Sequence, residues 1–140
     1  MSKIVFVCTG NTCRSPMAQG LFLKLLRERG VTDVEVVSAG TSAADGLPAS
    51  EHAIAAATEL GADISGHRSR QVSHELLDRA DAIFCMTDGH AEIVSALAPA
   101  EKIFTLPGGV PDPYGGDLNA YRACAAAILD KLRPIAEQVL

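Results

Sequence analysis

The sequence predicts an α/β fold in which helices cover both faces of a four-stranded parallel sheet. Four short apolar runs, at residues 3–8, 34–39, 82–86 and 102–106, alternate with stretches whose apolar residues recur at helical spacing. The runs show little strict alternation of polar and apolar residues, which is typical of parallel strands buried on both faces. Because strands and helices alternate, we expect right-handed crossovers and a ligand site beyond the carboxyl ends of the strands.

The first helix follows the first strand after a short turn. Ser15 is predicted to cap this helix, Pro16 lies in its first turn and Gly30 ends it. Its core-facing side is expected to carry Met17, Leu21, Phe22, Leu25 and Leu26. The N-terminus of this helix therefore lies against the turn at residues 8–14.

Polar residues mark the starts of the remaining helices. The four residues predicted to cap them are Ser50, Ser73, Thr87 and Asp117. The first of these helices is expected to end before Gly61, the second to cover residues 74–80 and the third to reach Leu97. The last helix carries an apolar stripe that we assign to the core: Tyr121, Ala125, Ile128, Leu132, Ile135 and Val139.

Length, composition and charge limit the kind of protein. A chain of 140 residues that is 48% hydrophobic fits one domain, residues 1–140, with its own core. A net charge of −5 without clustered basic residues is not expected of a nucleic-acid binder. No apolar run approaches the length of a membrane span, and the N-terminus lacks the features of a secretory signal. We therefore expect a cytoplasmic protein without nucleic-acid or membrane partners.

The four cysteines are expected to be reduced in that compartment. Cys85 and Cys124 lie within apolar patterns and are predicted to be small core residues. Cys8 and Cys13 flank a glycine-containing turn, which could also be an ordinary link between strand and helix. A zinc site is disfavoured because four residues separate these two cysteines and no further ligand pair accompanies them. A Walker loop is disfavoured because no Gly-Lys-Ser/Thr follows.

The turn is suited to binding a small anion. Five residues separate Cys8 from Arg14, and Gly10 relieves the steric limits on φ. Backbone N–H groups can point inward, and the following helix adds the positive end of its dipole. These groups and Arg14 favour the thiolate form of Cys8, and the planar guanidinium can hold two phosphoryl oxygens. The residues predict phosphoryl transfer to sulfur.

The segment VCTGNTCRSP, residues 7–16, resembles the signature of the low-molecular-weight protein tyrosine phosphatases. The likeness continues in SAGT (38–41), GADISGHRSR (61–70) and DPYGG (112–116), and so covers nearly the whole chain. It implies a flavodoxin-like, three-layer phosphatase fold with sheet order 2-1-3-4. It also implies hydrolysis of phosphorylated protein side chains through a cysteinyl-phosphate, without metal or cofactor. Phosphorylated proteins are the implied substrates, and inorganic phosphate or other oxyanions the implied inhibitors.

The resemblance also implies the catalytic roles. Cys8 is the nucleophile, Arg14 binds the phosphoryl oxygens, and Ser15 hydrogen-bonds the thiolate as it leaves. Asp112 protonates the leaving group and then accepts a proton from water, although an Asp-Pro pair can simply start a turn. The other residues implied at the phosphate and substrate site are Thr9, Gly10, Asn11, Thr12, Cys13 and Tyr114.

Further residues are implied around this loop. Asn11 holds the strained backbone through hydrogen bonds, supported by Ser38 and His67, although Ser38 could simply end a strand and His67 lie in a turn. Cys13 is implied to form a reversible disulfide with Cys8 that protects it from over-oxidation. The remaining histidines, His52, His74 and His90, are predicted to be solvated.

The substrate is indicated by the residues around the cleft. Thr12 stands where tyrosine-specific members tend to have a bulky aliphatic residue, and Gly115 follows Tyr114 where many carry a second tyrosine. The opposite side of the cleft, predicted at residues 42–46, has no aromatic residue to stack on a phenyl ring. Thr12 and DPYGG instead resemble the protein-arginine phosphatase branch, since a hydroxyl can bind a guanidinium and Asp112 suits a cationic leaving group. Phosphoarginine is predicted and phosphotyrosine is the alternative, while Thr12 could also be an ordinary loop residue.

Two other classes share parts of this pattern. Thiol-dependent arsenate reductases resemble the chain at residues 8–14, but they need two further cysteines spaced for a disulfide relay. Cys85 has no close partner before Cys124, which disfavours that class. A protein that binds phosphate without turnover would need neither Cys8 nor Asp112.

Overall fold

The computed structural model describes residues 2–138 and confirms the predicted sheet. Its parallel strands follow the order β2-β1-β3-β4. The strands are β1 (Ser2–Cys8), β2 (Val34–Gly40), β3 (Ala82–Cys85) and β4 (Ile103–Thr105). The helices are α1 (Arg14–Glu28), α2 (Glu51–Glu59), α3 (His74–Asp78), α4 (Asp88–Val94) and α5 (Leu118–Gln138). Each strand begins and ends within one residue of its predicted bounds.

The central strand β1 is buried on both faces, which explains its unbroken apolar run. Ile4 and Phe6 pack into a cluster with side chains of α1, α2 and α5. Val5 and Val7 pack into a second cluster with side chains of α3 and α4. The sheet therefore has helices on both faces, and Cys8 ends the strand at its centre.

The helix starts follow the predicted caps in four cases. The hydroxyls of Ser50, Ser73 and Thr87 accept hydrogen bonds from backbone N–H groups three residues later. The carboxylate of Asp117 likewise accepts from the N–H of Ala120 at 2.9 Å. The apolar residues predicted for one side of α1 are buried. On α5, the predicted stripe is buried from Tyr121 to Leu132 and partly buried at Ile135, whereas Val139 lies outside the described residues.

Three predictions about the helices are wrong. Ser15 does not cap α1, because the N-cap residue is Cys13 and the Ser15 hydroxyl is directed towards Cys8. Helix α4 ends at Val94 rather than at Leu97, and α3 ends at Asp78 rather than at residue 80.

None of the helices in residues 2–138 combines the length and apolar character that a bilayer crossing requires.

Candidate active site

A cleft of about 260 Å³ opens where β1 ends. One side is formed by the turn between β1 and α1, which we call the phosphate loop, residues 8–15. The other side comes from residues 106–117, the long loop between β4 and α5, which we call the acid loop. The residues that line the cleft are Cys8, Thr9, Gly10, Thr12, Cys13, Arg14, Asp112 and Tyr114. The site therefore lies at the carboxyl end of the parallel strands, as expected for this kind of sheet.

Cys8 and Ser15 form a close polar pair within the phosphate loop. The Sγ of Cys8 lies 2.8 Å from the Oγ of Ser15, and both side chains are buried. Nδ2 of Asn11 donates to the same Oγ at 2.8 Å, so the Ser15 oxygen already accepts one hydrogen bond. Its single proton is then free to point at sulfur, since the alternative acceptor, the carbonyl of Ala39, is 3.5 Å away. The hydroxyl of Ser15 can therefore donate to the sulfur of Cys8.

Asn11 holds the phosphate loop from inside. Its φ of 57° lies in the left-handed region, which no other non-glycine residue of the described chain adopts. Nδ2 also donates to Oγ of Ser38 at 3.0 Å, and Oδ1 accepts from the N–H of Arg70 at 2.9 Å. The backbone carbonyl of Asn11 lies 2.7 Å from Nε2 of His67, which must donate because a carbonyl only accepts. The structure thus brings together Asn11, Ser38 and His67.

Sequence reasoning missed two further supports behind Asn11. Ser38 donates to Oε1 of Gln19 at 2.7 Å, and Gln19 in turn donates to the carbonyl of Val36 at 3.2 Å. Gln19 lies four residues after Ser15 on α1, so helical spacing could have placed both on one face. At Gly40, a Cβ would collide with the carbonyl of Thr9 and lie 3.0 Å from the amide nitrogen of Asn11. The SAGT segment therefore packs backbone against backbone on the phosphate loop.

Arg14 is 4% exposed and spans the cleft towards the acid loop. Its Nη1 donates to the carbonyl of Val110 at 2.9 Å, and its Nη2 donates to Oγ1 of Thr9 at 3.3 Å. Nη2 also lies 3.6 Å from Oδ2 of Asp112. These contacts orient the guanidinium at the point where the strand ends and helix α1 begins. The contact with Val110 connects segments 96 residues apart and has no signal in the sequence.

Asp112 faces the cleft from the acid loop. Its side chain is 47% exposed, and its Oδ1 accepts from the N–H of Tyr114 at 3.0 Å. The carboxylate therefore forms the turn that an Asp-Pro pair favours while its Oδ2 points towards Arg14. The structure thus contains the turn, and the same carboxylate faces the guanidinium of Arg14. The aromatic side chain of Tyr114 also lines the cleft and is 83% exposed.

Cys13 lies on the side of the phosphate loop that faces α5. Its Sγ is 3.4 Å from the hydroxyl of Tyr121 and 3.6 Å from Oγ of Ser50. Burial and the contact with Cys13 raise the pKa of Tyr121 to about 12. Thr12 lines the cleft, and its carbonyl accepts from the N–H of Ser50 at 2.9 Å.

The cleft wall opposite Tyr114 is not where the sequence predicted it. Residues 42–46 do not line the cleft within the described part of the chain. They fold back against residues 69–71 instead, since Asp45 accepts from the N–H of Gln71 and the carbonyl of Ala44 accepts from Ser69. The segment is therefore held mainly by hydrogen bonds to residues 69–71, and the N–H of Ser42 donates to the carbonyl of Thr9 at 2.9 Å.

The prediction that His90 is solvated is also wrong. His90 is 6% exposed, and its Nε2 lies 2.8 Å from Oγ1 of Thr9. His52 and His74 are exposed, as predicted. The short helix α4 has polar residues on several sides, so periodicity alone did not single out the buried one.

The remaining cysteines are buried, as predicted. Burial raises the pKa of Cys85 to about 12 and that of Cys124 to about 11. Their thiols therefore stay protonated near neutral pH, and all four cysteines are free. Among residues 2–138, no three side chains of His, Cys, Asp or Glu are grouped so that they could hold a metal ion.

Comparison with known proteins agrees with the fold. Residues 3–140 match the family described as low molecular weight phosphotyrosine protein phosphatase. A protein-arginine-phosphatase from Geobacillus stearothermophilus is 39% identical, over 98% of this chain and 95% of that protein. The chain belongs to the low-molecular-weight phosphotyrosine protein phosphatase family, which confirms the predicted class of enzyme, a protein phosphatase.

Two solved structures have nearly the same fold. One is a mutant of the YwlE arginine phosphatase with a phosphorylated active-site serine, at a TM-score of 0.92 and 36% identity. The match covers 98% of this chain and 95% of the YwlE chain. The other is a low molecular weight protein tyrosine phosphatase from T. tengcongensis, with a TM-score of 0.92, 38% identity and 99% coverage of both chains. The predicted flavodoxin-like fold is thereby confirmed.

Proposed function

We propose that this chain is a protein-arginine phosphatase, a single domain spanning residues 1–140 that hydrolyses phosphoarginine in proteins. The observation that carries the proposal is the pair of Cys8 and Ser15 at 2.8 Å in a loop whose Arg14 reaches across to Asp112. This arrangement supports a mechanism with a nucleophile, a group behind it that stabilises its anion, a phosphate-binding cation and an acid. Arginine rather than tyrosine is favoured by Thr12 at the cleft and by the protein-arginine-phosphatase from Geobacillus stearothermophilus described above.

The first step transfers the phosphoryl group to sulfur. The thiolate of Cys8 attacks phosphorus in line with the P–N bond, and the guanidinium of Arg14 holds the equatorial oxygens. The P–N bond breaks, its electron pair returns to the guanidine nitrogen, and Asp112 donates a proton to that nitrogen. The products are a phosphoryl group bound to Cys8 and an unmodified arginine side chain in the substrate protein.

The second step returns the enzyme to its starting state. A water molecule attacks phosphorus, and the carboxylate of Asp112 accepts the proton. The S–P bond breaks with its electrons returning to Cys8, where the hydroxyl of Ser15 stabilises the departing thiolate. Inorganic phosphate is released. The residues suffice for both steps without a cofactor, and other oxyanions that fit the phosphate loop should inhibit them.

The setting of the enzyme is part of the same proposal. Free thiols at the active site suit a reducing, cytoplasmic compartment. Cys13 lines the same cleft as Cys8 and is proposed to protect it by a reversible disulfide. Partners other than phosphorylated proteins are not proposed, because the charge of −5 disfavours polyanions such as nucleic acid or anionic membranes.

Phosphotyrosine remains the second candidate substrate. Tyr114 is an exposed aromatic side chain at the cleft, and such a ring can stack on a phenyl leaving group. The low molecular weight protein tyrosine phosphatase from T. tengcongensis has a comparable overall fold.

The experiment that tests the proposal compares kcat/KM on a phosphoarginine-containing protein and on a phosphotyrosine peptide. Cys8→Ser serves as the blank. We expect the phosphoarginine protein to be the better substrate, and Thr12→Ile to move the ratio towards phosphotyrosine by about tenfold, the effect of one lost hydrogen bond. An unchanged ratio would remove Thr12 from the argument, and a better rate on phosphotyrosine would replace the substrate. Turnover of neither, with binding of phosphate retained, would indicate a binding protein, and thioredoxin-coupled turnover of arsenate would indicate a reductase.

A further inference from the structure

A buried histidine adjoins the phosphate loop and takes no part in the two steps above. His90 lies in the first turn of α4. Its Nε2 is 2.8 Å from Oγ1 of Thr9, and its Nδ1 is 2.9 Å from Oγ1 of Thr87. The ring therefore bridges helix α4 and the loop that binds phosphate.

We propose that His90 is a positioning residue that orients Arg14 through the hydroxyl of Thr9. The inference rests on the proposed function, because it concerns how the guanidinium meets the transferring phosphoryl group. It assigns no proton transfer to His90.

The contacts of Arg14 explain why the hydroxyl of Thr9 matters. Nη1 is anchored by the carbonyl of Val110 at 2.9 Å, and Nη2 by Oγ1 of Thr9 at 3.3 Å. One anchor would leave the planar group free to rotate about that contact, whereas two anchors on different nitrogens define its plane. A guanidinium has five N–H donors, so three remain for phosphoryl oxygens and for Asp112.

His90 in turn holds the Thr9 hydroxyl from a well-supported position. Thr87 is the N-cap of α4, and its Oγ1 accepts from the backbone N–H of His90 while contacting Nδ1 of the ring. Burial and the charge of Arg14 lower the pKa of His90, so the ring is neutral near pH 7. A neutral imidazole has one donor and one acceptor nitrogen, and either tautomer can satisfy both threonine hydroxyls.

Loss of this contact should affect the transition state more than the bound substrate. The equatorial oxygens need a guanidinium of defined plane only when the phosphoryl group becomes trigonal. When the Thr9 anchor is lost, Nη2 keeps only its contact with the carboxylate of Asp112, whose Oδ2 lies 3.6 Å away. We therefore expect kcat to fall while KM changes little.

The test uses two substitutions at His90 that differ in which nitrogen they imitate. The amide of His90→Gln reaches the place of Nε2 and can keep the contact with Thr9. The shorter amide of His90→Asn reaches only the place of Nδ1 and keeps the contact with Thr87. Thr9→Val removes the hydroxyl without changing the shape of the side chain, and Thr9→Ser retains it. His74→Asn, on the exposed start of α3, is the matched control.

Rates are measured on p-nitrophenyl phosphate, together with the melting temperature and the dissociation constants of vanadate and inorganic phosphate. We expect kcat to fall about tenfold to one-hundredfold in His90→Asn and Thr9→Val, the range for a lost hydrogen bond to a charged group. His90→Gln and His74→Asn should stay close to the wild type, and Thr9→Ser should retain more of the wild-type kcat than Thr9→Val. Vanadate, which imitates the trigonal transition state, should lose more affinity than phosphate in the two impaired variants.

Three results would overturn the inference. One is a kcat for His90→Asn equal to that of His90→Gln, which would make the effect of His90 purely structural. Another is a fall in kcat of the double variant Thr9→Val/His90→Asn that equals the product of the two single falls. Two residues that act through the same hydrogen bond should not have independent effects. The third is an equal loss of vanadate and phosphate affinity. If the wild type binds both anions but hydrolyses no substrate, the proposed function fails, and the two dissociation constants still test this inference.

Discussion

The two loops that form the cleft are built in opposite ways. In the phosphate loop, residues 8–15, Asn11 and Ser15 are fully buried and hydrogen-bonded to each other and to β2. In the acid loop, residues 106–117, Asp112 is half-exposed and Tyr114 projects into solvent. Val110 fixes the start of the acid loop, because its N–H donates to the carbonyl of Met86 at 2.7 Å and its own carbonyl accepts from Arg14 of the phosphate loop.

This difference matches what each loop meets. A phosphoryl group is the same in every substrate, so donors fixed in advance can bind its transition state without reorganising. The leaving group belongs to a different protein each time, and an exposed loop can meet it without a preformed pocket. The following predictions test this division, from the largest expected effect to the smallest.

Replacing the guanidinium should cause the largest loss. In Arg14→Lys, an ammonium cannot hold two oxygens of one phosphoryl group and loses the anchors on Val110 and Thr9. We expect kcat/KM on p-nitrophenyl phosphate to fall about 10³-fold, as for other preorganised donors to a transition state. The control Lys24→Arg changes an exposed pair with Glu28 and should leave the rate unchanged. A loss of less than about tenfold would mean that charge alone suffices.

Asp112→Asn should lower the rate without lowering the stability of the fold. We expect kcat to fall about 10²-fold, the lower range for general acid catalysis, and to fall most for substrates with poor leaving groups. The amide oxygen can still accept from the N–H of Tyr114, so the melting temperature should not change. Asp117→Asn, which keeps a cap on α5, is the control. Equal losses for good and poor leaving groups would exclude Asp112 as the proton donor.

The fold and the position of the phosphate loop were predictable because their signals are local. Periodicity and turns mark the strands and helices, and Cys8, Arg14 and Ser15 lie within one turn of chain. Parallel topology then places the loop at the carboxyl end of the sheet. The place of these residues at the edge of the sheet therefore follows from local sequence.

The contacts that were missed join residues far apart. Arg14 meets Val110 across 96 residues, and Thr9 meets His90 across 81. Backbone carbonyls carry no sequence signal, and a histidine on a short polar helix resembles a surface residue. Ser15 shows the converse error, because its local preference to cap a helix gives way to a hydrogen bond with Cys8. Side-chain partners are set by packing, which propensity does not encode.

The loops should also differ in what they contribute to stability. Asn11→Ala removes hydrogen bonds to Ser15, Ser38 and Arg70 and leaves alanine at a positive φ. We expect the free energy of unfolding to fall by about 3 kcal/mol, as for a buried polar group that loses its partners. Tyr114→Ala, in the acid loop, should change it by less than about 0.5 kcal/mol.

Urea unfolding, monitored by circular dichroism, measures both variants. The slope with denaturant should stay constant, so that midpoint shifts report stability. Equal shifts for Asn11→Ala and Tyr114→Ala would contradict the proposed difference between a supporting loop and an exposed one.

The smallest effect concerns the pH dependence of stability. Burial, chiefly, lowers the pKa of His67 below its ordinary value of 6.5, while its Nε2 donates to Asn11. The unfolded chain therefore binds more protons just below that value, and the free energy of unfolding should fall as the pH drops from about 6.5. His67→Gln keeps a donor for the Asn11 carbonyl but has no titrating group, so its stability should fall less steeply. His90 retains part of the slope, because its pKa is lowered as well. The measurement is the free energy of unfolding between about pH 5 and 7. An equal dependence on pH in His67→Gln and in the wild type would contradict this account.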